Sequence, residues 1–187
     1  MKHYTYIVLL LLFTKSLSAQ EYEKDKKFIN EVVSHKGKMV VCSHLNKYTI
    51  ENIRSHFISD TIQYHAGDAK KLILTNVELK YIHRQLNKMN KPYLKSDLFD
   101  STQIIPQLSI QKLFKKHVDD VWEAFYNQYS PKGYYVFSKP IFLRKNSLCI
   151  FYSGNSCGDL CGYGSLYIYE KTKNGWKPWL ELSTWMS

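Results

Sequence analysis

The sequence has almost no long hydrophobic runs. The one extended apolar stretch, residues 7–13, lies near the N-terminus, and no later segment approaches the roughly 20 apolar residues that a transmembrane helix needs. Internal repeats and low-complexity segments are absent as well. These absences exclude a membrane-spanning protein and a repeat architecture.

Signatures of nucleic-acid binding are also missing. The chain has no arginine-rich helix, no zinc-finger spacing and no RNA-recognition motif. Lysine and arginine number 26 against 16 acidic residues, which gives a formal charge of +10, but the lysines are scattered along the chain. Such a charge can attract anionic cell-surface polymers. The scatter favours a solvated lysine-rich surface, and we expect no nucleic-acid partner.

Motifs for catalysis and metal binding are lacking too. The chain has no Gly-x-Ser-x-Gly motif, and Cys157-x₃-Cys161 is not the Cys-x-x-Cys of a thiol-exchange enzyme. That spacing matches half of a zinc site, but no second pair supplies the other ligands. The sequence therefore predicts no catalytic residue, metal or cofactor. The catalytic alternatives are a histidine-activated thiolate at Cys157 or Cys161, and carboxylates drawn from Asp159, Glu170 and Glu181.

The N-terminus has the pattern of a secretory signal peptide. Lys2 and His3 precede the short apolar run, and Ala19 is a small residue at a suitable cleavage point. The run is too short for a membrane anchor. We expect a signal peptide over residues 1–19 and a secreted or periplasmic protein of 168 residues, 20–187, with a charge of +8 after the loss of two lysines. That length suits a single domain.

Four cysteines remain after this processing. In an exported chain an even number favours disulfides. Cys157 and Cys161 are close in sequence and lie among glycines that allow a tight backbone, so we expect them to form a bridge. Cys42 and Cys149 either form a second bridge or remain as buried thiols.

The first half of the mature chain has mainly helical patterns. Apolar residues recur at helical spacing over 21–35, 49–58 and 110–129, the longest candidate helix. Thr75 and Glu78 have the spacing of a capping box that opens a further helix. Met39–Cys42 is either a short strand or a buried connector, and residues 93–106 are expected to form a connecting loop.

The second half has the alternating pattern of strands. Candidate strands cover 134–138, 141–143, 148–153 and 166–171, and a loop rich in cysteine and glycine separates the last two. Asn174-Gly175 is a hairpin signal that leads into a strand over 176–185. We predict an α+β domain in which the helical half packs on one face of an antiparallel meander of about four strands.

Aromatic residues are dense in this predicted sheet. Because side chains alternate along a strand, Leu166 and Ile168 share one face and Tyr167 and Tyr169 the other. If the aliphatic face is the core, the tyrosines lie outside, where they can stack on sugars or hold a peptide. Tyrosine is also simply a good strand former. The candidate binding residues are Asp159, Tyr163, Tyr167 and Tyr169.

Binding is therefore the function class that the sequence favours, although it contains no motif that decides it. We expect a non-catalytic binding module for a glycan, a peptide or a partner protein, with cell-envelope glycan or another exported protein as partner. The alternative is a hydrolase or other enzyme with a cleft between helices and sheet. A third possibility is a structural or inhibitory module with a flat apolar patch.

Four motifs in the last third of the chain carry a resemblance. They are Phe-Ser-Lys-Pro-Ile-Phe over 137–142, Cys-Gly-Asp-Leu-Cys-Gly-Tyr-Gly over 157–164, Asn-Gly-Trp over 174–176 and Trp-Met-Ser over 185–187. Together they resemble an uncharacterised family of exported bacterial proteins. The resemblance implies export and the architecture of the C-terminal sheet, and it implies no activity.

Overall fold

A computed structural model describes residues 19–33, 37–63, 70–116, 119–129 and 133–187. Apart from Ala19, the expected signal peptide lies outside these residues, so its cleavage stays a prediction. The chain divides into two compact units, one ending at Ser34 and the other beginning at His35. In the first unit, helix α1 covers residues 19–32, which agrees with the helical pattern predicted there.

The second unit combines helices and strands. Its helices are α2 Lys47–Ser55, α3 Asn76–Leu86, α4 Gln107–Lys116 and α5 Val121–Gln128. Its strands are β1 Met39–Cys42, β2 Thr61–Gln63, β3 Lys71–Ile73, β4 Thr102–Ile105, β5 Tyr134–Phe137, β6 Ile141–Leu143, β7 Leu148–Gly158, β8 Cys161–Thr172 and β9 Gly175–Met186. Among the described helices, none has the length and apolar character needed to cross a membrane.

Seven strands form one mixed sheet in the order β4-β1-β5-β7-β8-β9, and β6 also pairs with β7. Strands β5 and β6 lie end to end along β7, and Ser138 and Pro140 fall in the break between them. The buried Ser138 connects the break to β7, because its hydroxyl accepts a hydrogen bond of 2.9 Å from the Tyr152 amide. Strands β2 and β3 form a separate hairpin.

The predicted antiparallel meander is present, but the predicted count of about four strands is wrong. Strands β1 and β4 from the first half extend the sheet through parallel pairing, β1 with both β4 and β5. All four residues of β1 are buried, as in a strand covered on both faces. Strand β4 lies within residues 93–106, where a loop was expected.

Helices α2 to α5 cover one face of the sheet. Ile50 and Ile53 of α2 pack with aliphatic residues of β6 to β9, and Phe125 of α5 packs with Val40 of β1. Val136 of β5 contacts both groups of residues, so the two groups share one face. The capping box predicted at Thr75 and Glu78 is present at the start of α3.

The long helix predicted over 110–129 is instead two helices, α4 and α5. Residues 117–118 between them are not described. Asp120 precedes α5 with a φ of −135° and a ψ of 30°, outside the helical region. Aspartate is a poor residue inside a helix and a good one at its start, so Asp119 and Asp120 favour a new helix beginning there.

The cysteine- and glycine-rich segment is strand rather than loop. Strands β7 and β8 pair almost to their ends, and only Asp159 and Leu160 form the turn between Gly158 and Cys161. The next hairpin is displaced by one residue from its prediction: Thr172 pairs with Gly175, so Lys173 and Asn174 make the turn. Gly175 has a φ of 106° and supplies the left-handed residue after that turn.

Candidate functional site

A cleft of about 390 Å³ opens on the helix-covered face of the sheet. Tyr134 and Val136 of β5 and Tyr152 and Ser156 of β7 form its floor. The remaining lining residues come from the start of α2, the first residue of α4 and the end of β9: Asn46, Tyr48, Thr49, Asn52, Gln107 and Trp185. The cleft therefore combines three aromatic side chains and one aliphatic side chain of the sheet with polar residues from the starts of two helices.

Trp185 leans from β9 across β8 towards β7. A Cβ placed on Gly164 would lie only 2.1 Å from the indole Nε1 of Trp185, and one on Gly162 would lie 3.1 Å from the indole ring. Only glycine leaves room for the ring over β8. The indole Nε1 reaches β7, where it donates a hydrogen bond of 3.1 Å to the hydroxyl of Tyr152.

The two tyrosine hydroxyls in the floor are neutral. Burial raises the pKa of Tyr134, and a hydrogen bond with Ser156 offsets part of that effect. Burial likewise raises the pKa of Tyr152, against the smaller effect of the hydrogen bond from Trp185. Both groups therefore remain phenols near neutral pH and can donate and accept hydrogen bonds.

Three amide side chains stand around the cleft. Asn46 is the N-cap of α2, and its side-chain oxygen accepts a hydrogen bond of 2.8 Å from the Thr49 amide. The Gln107 side-chain oxygen accepts from the Cys42 thiol at 2.6 Å. Asn52 lies about one turn after Thr49 in α2. Among the described residues, no side-chain nitrogen of these three amides has a hydrogen-bond acceptor.

Among the described residues, those that line the cleft include no aspartate, glutamate, histidine, lysine or arginine. The nearest thiol is that of Cys42, behind Gln107, and burial raises its pKa to about 11. A thiol with that pKa is protonated near neutral pH and is a poor nucleophile. Within the described ranges, no three histidine, cysteine or acidic side chains stand close enough to hold a metal ion.

The four binding residues proposed from sequence lie outside this cleft. Asp159 is in the turn between β7 and β8. Tyr163, Tyr167 and Tyr169 alternate along β8 with Gly164, Leu166 and Ile168, so they occupy the opposite face of the sheet.

These tyrosines have different surroundings. Tyr163 is 49% exposed. Tyr167 donates a hydrogen bond of 2.6 Å to Glu181 on β9. Tyr169 is only 7% exposed, and burial raises its pKa to about 12. The expectation that Tyr169 faces outward is therefore wrong: this second face is also covered, and its aromatic rings pack on each other, with Tyr169 at 6.3 Å from Phe151.

Cys157 and Cys161 form the expected disulfide, with 5.1 Å between their Cα atoms. Cys42 and Cys149 are buried and form no disulfide, so the second bridge left open by the sequence is absent. Cys42 packs on the helix-covered face with Val40, whereas Cys149 alternates with Ile150, which faces that side. The two thiols therefore lie on opposite faces of the sheet and cannot meet.

Sequence reasoning missed this cleft because its residues come from five elements far apart in the chain. One signal was available. Gly154, Gly162 and Gly164 leave a gap among the side chains on one face of the sheet, and such a gap indicates a bulky group lying over it. Comparisons with protein-family models, with curated proteins and with solved structures found no match to the chain.

Proposed function

We propose that the protein is an exported, non-catalytic binding module whose ligand occupies the cleft between the sheet and helices α2 and α4. The observation that carries this proposal is the composition of the lining. It offers aromatic rings, side-chain amides and hydroxyls, and none of its described residues carries a charge. Ligand sites in proteins typically combine apolar and aromatic walls with a few placed polar groups in a cleft of about 300–1,000 Å³.

The same composition argues against the enzymatic alternative. A cleft between helices and sheet is present, which is where a hydrolase site was expected. The hydroxyl of Ser156 is hydrogen-bonded with the phenol of Tyr134, and the raised pKa keeps that phenol protonated near neutral pH, so it is not available as a general base. In the part of the chain that the structure describes, neither a histidine nor a carboxylate lines the cleft, so these residues offer no base to activate a nucleophile there.

The ligand position differs from the one that the sequence favoured. The turn at Asp159 and the tyrosine face of β8 were the first candidates, but Tyr169 is buried and Tyr167 is bonded to Glu181. The cleft on the other face has both unused hydrogen-bond donors and an exposed aromatic ring. Export is supported by the N-terminal pattern and by the Cys157–Cys161 disulfide, which suits an oxidising compartment. Candidate partners are accordingly cell-envelope glycans and exported proteins or peptides.

The test is an NMR titration of the ¹⁵N-labelled protein with a mixed library of sugars, capped peptides and neutral aromatic compounds. Trp185 supplies the best reporter, because its side-chain N–H lies in the cleft and donates to Tyr152. A Trp185→Phe variant assigns that resonance. We expect a ligand from the library to shift this resonance and the amides of Tyr134 and Ser156. Shifts confined to the face of Tyr163 and Tyr167, or chemical turnover of a ligand, would refute the proposal.

A further inference from the structure

Trp185 lines the cleft, and its indole lies close over the backbone of Gly162 and Gly164, where no side chain intervenes. The ring is 43% exposed, and its Nε1 is held by Tyr152 at 3.1 Å. This hydrogen bond restrains the orientation of the indole before any ligand arrives, which reduces the ordering cost of binding.

A second aromatic ring stands at the cleft with almost no contact to the protein. Tyr48, in the first turn of α2, lines the cleft and is 82% exposed. A large aromatic side chain so far from the core contributes little to folding. Its position beside the cleft is what a ligand contact requires, since exposed tyrosine gives contact area at low cost in conformational entropy.

The polar groups of the cleft are mixed donors and acceptors. The side-chain nitrogens of Asn46, Asn52 and Gln107 can donate, and they have no acceptor among the described residues. The hydroxyls of Tyr134, Tyr152 and Ser156 can both donate and accept. A ligand that fits this lining has many groups that do both, and it has an apolar face for the rings.

A peptide fits the cleft less well. Extended peptides commonly bind by pairing their main chain with an unpaired strand edge. Both floor strands lack a free edge: β5 pairs with β1 and β7, and β7 pairs with β5 and β8. The chain carries 26 lysine and arginine residues, but none of those that the structure describes lines the cleft, so an anionic ligand finds no cationic partner among them.

We propose that the cleft binds a neutral saccharide, with one pyranose ring stacked on the exposed face of Trp185 and a neighbouring ring or substituent against Tyr48. A pyranose has an apolar face of C–H groups and a rim of hydroxyls that each donate and accept, which matches the rings and the polar groups of the lining. This inference rests on the proposed function, because it names the ligand class of the same cleft.

The experiment is isothermal titration calorimetry with soluble neutral oligosaccharides: the trimers of glucose in α- and β-linkage, of xylose and of N-acetylglucosamine. Trigalacturonic acid and capped neutral tripeptides are the comparison ligands. We expect at least one neutral trimer to bind, and the acidic trimer and the peptides to bind at least tenfold more weakly. Binding of the acidic trimer or a peptide with no binding of any neutral trimer would overturn the saccharide assignment.

Two variants and a matched control place the sugar in the cleft. Trp185→Ala and Tyr48→Ala should each weaken binding about tenfold, because each removes one stacked ring. Ile58→Ala is the control for Tyr48→Ala: Ile58 is also 82% exposed and follows the end of α2, away from the cleft lining. Equal affinity in the wild type and both ring variants would overturn the inference.

Failure of this inference and failure of the proposed function give different results. If only peptides or acidic sugars bind and they shift the Trp185 side-chain N–H, the cleft is a ligand site and the ligand class is wrong. If neutral sugars bind but the shifts map to Tyr163 and Tyr167, the site is wrong. Either result rejects the saccharide in the cleft.

Discussion

The indole of Trp185 occupies the space that a side chain on Gly164 would fill. The two residues are directly paired across β8 and β9, and a Cβ on Gly164 would lie 2.1 Å from the indole Nε1 and 2.6 Å from the Tyr152 hydroxyl. The glycine thus lets one strand reach over the next. As a result, the β8–β9 hairpin contacts the floor of the cleft through the hydrogen bond from Trp185 to Tyr152.

Gly164→Ala should displace the indole and weaken ligand binding more than it weakens the fold. Trp185 is partly exposed and near the chain end, so it can swing outward, and we expect a loss of about 1 kcal/mol in the free energy of unfolding. Urea unfolding measures that loss, and the cleft titration measures the affinity. Ser165→Ala, at a neighbouring position on the other face, is the control. In a Trp185→Ala background the glycine substitution should have little further effect on binding; an undiminished effect would show that Gly164 acts independently of the indole.

The turn between β6 and β7 predicts a stabilising substitution. Arg144, Lys145 and Asn146 have φ values of 50°, 56° and 64°. Left-handed backbone costs a non-glycine residue about 1–2 kcal/mol. Lys145 is exposed, so Lys145→Gly should stabilise the protein by about 1 kcal/mol and raise Tm by about 2–4 °C. Lys145→Ala keeps a Cβ and should bring no such gain in thermal unfolding. Equal effects of glycine and alanine would contradict this explanation.

The parts of the fold that follow from sequence are those with local causes. Alternation and the signal at Asn174-Gly175 place β7 to β9, and the Thr75–Glu78 spacing places the start of α3. The parallel pairing of β1 with β4 escaped prediction because the two strands are distant in the chain: Met39 pairs with Thr102, and a four-residue strand contains no pattern that identifies its neighbour. The apolar residues of 110–129 keep helical spacing throughout, so they did not indicate that α4 and α5 are separate helices. That separation depends on Asp119 and Asp120.

The cleft was beyond prediction for the same physical reason. Asn46, Gln107, Tyr152 and Trp185 meet only after β1, β5, β7, β8 and β9 have paired, and none has a motif around it. For Tyr169 the position on the sheet was predicted correctly, but its exposure was not. Alternation correctly separated it from Ile168, but alternation cannot tell whether the second face is covered.

Glu78 gives the stability a defined pH dependence. Burial acts to raise its pKa, but hydrogen bonds from Thr75 and Arg144 favour the charged form more, and the net pKa lies below its usual value of 4.5. A carboxyl with a lowered folded-state pKa stabilises the fold above the unfolded-state pKa and loses that effect as the pH falls. The stability advantage of the wild type over Glu78→Gln should therefore be constant near neutral pH and shrink below about pH 4.5.

Urea unfolding at several pH values from 3 to 7 measures this difference. Arg144 contacts Glu78 at 3.1 Å, so in an Arg144→Met background the Glu78→Gln substitution should have a smaller pH-dependent effect. A difference that grows as the pH falls would contradict the assigned direction.

The Cys157–Cys161 bridge should shape the cleft more than it holds the fold together. It closes a loop of only a few residues at the tip of a hairpin that is already paired along its length. The chain-entropy relation gives about 2 kcal/mol for so short a loop, or about 4–8 °C in Tm. Cys157 also follows Ser156 of the cleft floor, and its carbonyl accepts a hydrogen bond from the Tyr126 hydroxyl.

Replacing both cysteines by serine should therefore leave a folded protein with a modest loss of Tm and a clear loss of affinity in the cleft, because Ser156 loses its fixed neighbour. Non-reducing peptide mapping of exported wild type checks the pairing, thermal unfolding checks stability, and the oligosaccharide titration checks the cleft. A Cys42→Ser/Cys149→Ser variant is the control, since those thiols form no disulfide and their replacement should leave the mapped bridge unchanged. Finding Cys157 or Cys161 joined to Cys42 or Cys149, or both reduced, would contradict the pairing. A double-serine variant that does not fold would show that the hairpin tip depends on the bridge for its stability.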